Sequence, residues 1–205
     1  LCLDEIENLT QRADEFNDVL EDWRACGSMG QMAMITASAQ PLADLCATGG
    51  LTSPFYNIFS QHWLGLLSAE EWQPLVTENM TTSEDDLDFI KKVAGGQPFF
   101  TQMTASYLWE AQATGKVDYA QLRQDLWFQF QPHLQYLWRK LTPDDQTSLS
   151  QIATSGTSDV DPIRVASLER RGIVFQGQPF SELFREMIAG GHLECQGDNY
   201  VTRAL

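Results

Sequence analysis

The residues best able to do chemistry stand together in the stretch "LCLDEIENL", where an apolar run at 1–3 is followed at once by Asp4 and Glu5. The run reads as a buried strand, so the two carboxylates stand at its carboxyl end. In a parallel α/β sheet, ligands bind beyond that end of the strands. Carboxylates there can hold a divalent cation and act as a base toward water. They do not suit glycoside cleavage, which needs two carboxyls flanking one bond, because neighbouring strand residues point to opposite faces. For both acids to serve one site, the backbone has to turn at the strand end. A second strand-like run, "QMAMITAS" (31–38), brings the small polar residues Thr36 and Ser38 to its own carboxyl end. The separation leaves room for one helix, as a parallel crossover requires.

Other chemistries find less support. The three histidines, His62, His133 and His192, have no zinc-ligand spacing. No GxSxG motif or Cys/His pairing stands out for nucleophilic catalysis. The four cysteines are widely spaced without a CxxC pair, which suggests free thiols in a reducing cytoplasm. Thirteen Lys and Arg face 28 Asp and Glu, a net charge of −15, so phosphate-backbone attraction to nucleic acid is disfavoured. From 141 to 205 there are five arginines, nine acids and no lysine, so a basic reading face for DNA is missing there too. No apolar run is long enough to span a bilayer, and no signal peptide is seen.

The elements that must position Asp4 and Glu5 come in three blocks. From 1 to 66 the order reads strand, helix, strand, helix, strand, with Phe16, Leu20 and Trp23 on one helix face and a third strand expected in "NIFSQHWLGLL" (57–67). From 67 to 140 the chain reads as helices. Ser68–Glu71 and Ser83–Asp86 are capping boxes. Pro98 opens a further helix, and an aromatic-rich one follows. In that last helix Pro132 is expected to cause a kink or split, and Trp127, Phe128, Phe130, Tyr136 and Trp138 are expected in the core. From 141 to 205, Thr142-Pro143-Asp144-Asp145 starts one helix, a second runs from Pro162, and a third carries "SELFREMI". Arg170 and Arg171 read as caps for the negative end of the second. A hairpin is expected in "HLECQGDNYV", and helices followed by a β-wing suggest a winged-helix unit.

The order of these motifs resembles the bacterial AAA-like ATPases of the STAND class, within the AAA+ group of P-loop nucleoside triphosphatases. An apolar strand ending in Asp-Glu looks like their Walker B element, Thr36 or Ser38 like sensor 1, and "AGGQPFF" (94–100) like the Gly-x-Pro element beside the nucleotide base. The resemblance covers nearly the whole chain. It implies a partial parallel-sheet P-loop core over 1–66, an all-α lid over 67–140 and a winged-helix domain over 141–205, mostly helical overall. It further implies that Asp4 holds Mg²⁺, that Glu5 is the catalytic base, and that Thr36, Ser38, Gly96 and Pro98 bind ATP. The implied function is a cytoplasmic ATP-binding regulatory switch, with which a homo-oligomer is compatible.

One departure is large. The phosphate-cradling loop GxxxxGK[ST] occurs nowhere in the 205 residues, and its amides and lysine supply most of the electrostatic hold on a triphosphate. In the family it precedes Walker B, so the expectation is a fragment whose P-loop comes from other domains or chains, inactive by itself as an ATPase. The family topology also leaves an unpaired edge between the second and third strands. A non-catalytic interaction scaffold remains the alternative.

Overall fold

The computed structural model describes residues 1–10, 12–49 and 54–193. It is mostly helical, with two small sheets, and separates into two compact units, Leu1–His62 and Trp63–Leu205. Among the described residues no helix is long and apolar enough to cross a membrane.

In the first unit, β1 (Cys2–Leu3) pairs in parallel with β2 (Ile35–Thr36), Cys2 opposite Ile35 and Leu3 opposite Thr36. Between them run a single helical turn, α1 (Glu7–Thr10), and the longer α2 (Ala13–Ser28). The chain continues through α3 (Leu42–Thr48) and a 3₁₀ turn at Phe55–Ile58. The core of this unit gathers Ile6, Leu20, Leu45, Cys46 and Phe55, with Phe16 and Trp23 half-buried against it. The expected face of α2 is therefore the one that packs.

The second unit opens with α4 (Ala69–Thr77) and α5 (Glu84–Ala94), each begun by the expected capping box. Ser83 N–H donates to Asp86 Oδ2 at 2.8 Å and Asp86 N–H donates to Ser83 Oγ at 3.1 Å. Next come α6 (Pro98–Ala113), α7 (Tyr119–Lys140), α8 (Pro143–Ser155) and α9 (Pro162–Arg170). A short antiparallel hairpin, β3 (Val174–Phe175) with β4 (Gln178–Pro179), leads into α10 (Glu182–Ala189). One core runs through this whole unit. The Phe100 ring on α6 lies 4.3 Å from Phe130 on α7 and 5.7 Å from Phe180 after β4, centroid to centroid. The segments 67–140 and 141–193 thus share their packing. The hairpin expected in "HLECQGDNYV" lies almost wholly outside the described residues.

Several expectations are corrected. No strand forms at 57–67. Pro54 leads instead into the 3₁₀ turn, and Phe59–Leu67 is irregular, with Leu64 93% exposed. A strand needs a partner for its backbone groups, and among the described residues β2 has only β1. The second strand is shorter than its apolar run and is not buried: only Ile35–Thr36 pairs, and Ile35 is 70% exposed.

The helix α7 passes Pro132 without a break, and Phe128 and Tyr136, expected in the core, are exposed. All three lie four residues apart, on one side of the helix. That side faces water, which can satisfy the Phe128 carbonyl that Pro132 leaves without a donor. Pro132→Ala restores the missing bond and should stabilise the chain by about 1–2 kcal/mol. That is less than the roughly 3 kcal/mol intrinsic penalty because the helix has already adapted. Urea denaturation measures it, and an unchanged or lower midpoint would contradict this account.

Candidate functional site

Asp4 and Glu5 leave β1 through a bulge. Ala37 N–H donates to Leu3 C=O at 2.8 Å, and Ile6 N–H donates to Ala37 C=O at 3.2 Å. A regular parallel ladder spans one residue fewer between those two bonds, so the acids are looped out of the sheet. Glu5 has φ +50, the left-handed region uncommon for a residue with a side chain. Its N–H donates to Asp4 Oδ1 at 2.9 Å, and Asn8 Nδ2 donates to Glu5 Oε2 at 3.3 Å. The turn that two adjacent strand acids need in order to serve one site is present, and both acids are exposed.

Thr36 is half-buried opposite Leu3, and Ser38 is exposed two residues on, past the end of β2. The Ser38 hydroxyl donates to Gln40 C=O at 2.6 Å, so its lone pairs are what it has left to offer a ligand. One residue escaped the sequence reading. Glu7 Oε1 accepts the Ala39 N–H at 3.2 Å and ties the end of β2 to α1, while its other oxygen is buried without a hydrogen-bond partner. Glu7 is a positioning residue for this edge; its separation from Ala39 in sequence hid the pairing. Among the described residues no group of three or more His, Cys, Asp or Glu could hold a metal ion. Cys46 is buried, and burial pushes its thiol up despite a backbone hydrogen bond at Tyr56, which makes it a poor nucleophile.

Gly96 and Pro98 belong to the second unit. Pro98 is the first residue of α6 and is exposed. Gly95 and Gly96 form the turn before it with φ +60 and +80. The close approach that these glycines permit is made by the chain's own backbone. A Cβ on Gly95 would meet the Phe180 carbonyl oxygen at 1.6 Å, and one on Gly96 the Leu67 carbonyl oxygen at 2.4 Å. Leu67 N–H also donates to Gly96 C=O at 2.8 Å.

Of the two arginines expected to cap α9, Arg171 does more. Arg171 Nη1 donates to Asp145 Oδ2 at 2.7 Å, and Arg164 Nη1 donates to Asp145 Oδ1 at 2.9 Å, joining α9 to the first turn of α8 around a buried carboxylate. No protein-family model, no curated protein and no solved structure matches the chain.

Proposed function

We propose that the chain contributes the water-activating part of a Mg-ATP-dependent regulatory switch of the AAA+/STAND kind. The observation that carries this reading is the carboxylate bulge: two exposed acids, looped out at the carboxyl end of one strand, beside the end of a parallel neighbour bearing Thr36 and Ser38. Such an edge suits an anionic ligand with its cation better than it suits an isolated metal. Mg²⁺ keeps several waters and is usually held by one or two carboxylates plus substrate phosphate oxygens. Asp4 would hold the cation, which when bound neutralises charge on the phosphate oxygens. Glu5 would take the proton of the attacking water, and Thr36 or Ser38 would orient that water or a phosphate oxygen. The phosphate cradle would come from residues outside these 205.

A second reading, a non-catalytic interaction scaffold, is favoured by the Gly95–Gly96 turn, whose open faces are filled by Phe180 and Leu67. Calorimetric titration of Mg-ATP and a turnover assay separate the two, run on the chain alone and on the chain extended by whatever its gene encodes before Leu1. The switch reading expects no turnover and no micromolar binding by the 205 residues. It expects hydrolysis by the extended protein, in which Glu5→Gln lowers kcat about 100-fold or more with Mg-ATP binding retained. Unchanged turnover in Glu5→Gln, or no nucleotide binding by the extended protein, would leave the scaffold.

A further inference from the structure

We propose that the cleft between α4 and α6 receives an amphipathic helix of a partner protein whose apolar side is flanked by Lys or Arg. The cleft has a volume of about 580 Å³, and its lining includes Leu75, Val76, Met80, Thr101, Ser106 and Trp109. It lies wholly within the second unit. The inference does not depend on the nucleotide reading, although Pro98 also borders the cleft.

Three observations point to a covering partner. First, α6 carries a single charged residue, Glu110, in 16. Large apolar side chains grouped on such a face are ordinarily covered. Here Trp109 is 58% exposed, and Leu75 across the cleft is 60% exposed. Second, the Thr101 hydroxyl is buried in a residue only 4% exposed and has no hydrogen-bond partner among the described residues, although Thr101 lines the cleft. An unmet buried hydroxyl is costly, so this wall of the cleft is incompletely satisfied by the chain's own groups.

Third, the two helices that wall the cleft carry charge of one sign. No Lys or Arg occurs between Arg24 and Lys91, or between Lys92 and Lys116, so neither α4 nor α6 carries a cation. Glu70 and Glu71 lie on α4, Glu78 directly after it, and Glu110 on α6. An anionic ligand meets like charge there, whereas basic flanks on an apolar helix meet opposite charge. The length fits as well. From Pro98 to Trp109 the helix advances about 16 Å, which matches the roughly three turns that a groove-bound helix uses for its anchors.

The probe is a fluorescein-labelled 15-residue peptide of Leu and Lys arranged as an amphipathic helix, titrated with the full chain by fluorescence anisotropy. A second peptide carries Glu in place of every Lys. The Lys peptide should bind saturably and at least tenfold more tightly than the Glu peptide. Ser106→Trp, which fills the cleft from an exposed position, should weaken binding at least tenfold with circular dichroism and melting unchanged. Leu75→Ala is the second variant in case the first perturbs the fold, and should weaken binding about fivefold. Glu78→Lys with Glu110→Lys should weaken it about threefold or more. Glu21→Lys with Asp22→Lys, exposed on the first unit, should leave it unchanged, which separates the cleft from general attraction to an acidic protein. Unchanged affinity in both cleft variants, or an equal loss from the distant pair, would overturn the proposal. So would a wild-type dimer by sedimentation that Ser106→Trp dissociates, because a second copy would then hold the cleft.

Discussion

Gly95→Ala should destabilise the second unit by about 4 kcal/mol or more, at the upper end of single-substitution effects. Two costs act together. The residue ends α5 with φ +60, where Gly95 N–H bonds the Lys91 carbonyl, and a side chain there is strained. The added Cβ would also lie 1.6 Å from the Phe180 carbonyl oxygen. That oxygen belongs to main chain packed in the core through the Phe180 ring, so it cannot swing aside as a surface side chain would. Gly96→Ala, with φ +80 and the Leu67 carbonyl oxygen at 2.4 Å, should cost less, about 2–3 kcal/mol. Urea denaturation without nucleotide measures both. If these glycines were needed only for a ligand's approach, the substitutions would leave the midpoint of the nucleotide-free protein in place. A shift of less than 1 kcal/mol for Gly95→Ala would refute the packing argument.

Asp145→Asn should cost about 2–3 kcal/mol at neutral pH. Breaking a buried pair typically costs roughly 3–5 kcal/mol. The smaller figure applies because Arg164 and Arg171 keep 32% and 26% of their side-chain exposure and so recover some hydration. The substitution removes the charge that both arginines share but leaves the N-cap, in which Asp145 N–H donates to Thr142 Oγ1 at 3.2 Å. Arg170→Ala, at the exposed neighbour, should stay within about 0.5 kcal/mol. If Arg170→Ala cost as much as Asp145→Asn, the stabilisation would lie in helix capping rather than in the buried cluster.

The same carboxylate sets a pH dependence. Burial alone pushes the Asp145 carboxyl up, but hydrogen bonds from Arg171 and Arg164 and the charge of Arg171 outweigh it, and the group ends below its ordinary value. Asp86 behaves alike: burial raises it, and hydrogen bonds from the Ser83 backbone, Tyr119, Ser83 Oγ and Gln112 bring it lower. A carboxyl lowered in the folded state binds its proton later than in the unfolded chain. Its contribution is therefore complete above the unfolded value, near pH 4, and is lost as pH falls through the folded value. The denaturation midpoint of the wild type should hold from pH 7 to 5 and drop below about pH 4. In Asp145→Asn the drop should be shallower. A wild-type midpoint that rises on acidification would contradict the lowered carboxyls.

The helix starts were legible because their determinants are local. Ser83 and Asp86, or Thr142 and Asp145, lie within three residues of each other, so spacing alone encodes the bond. The acids at the end of β1 were legible for the same reason, as was the need for a turn between them. The bulge itself was not, because it depends on Ala37 bonding both Leu3 and Ile6 from another strand.

By itself, then, the sequence determined where helices begin, that two carboxylates end the first strand, and that the surface is strongly acidic. Tertiary structure decided the rest. The apolar run at 57–67 forms no strand, since no strand pairs with it among the described residues. Phe128 and Tyr136 face water because α7 turns another side to the core. The paired glycines are held by the Phe180 and Leu67 carbonyls, and Arg171 reaches Asp145, 26 residues earlier. The physical reason is range. A cap or a strand-end acid is specified within one turn of chain, whereas a partner, a covered face or a close backbone approach exists only after distant segments have packed.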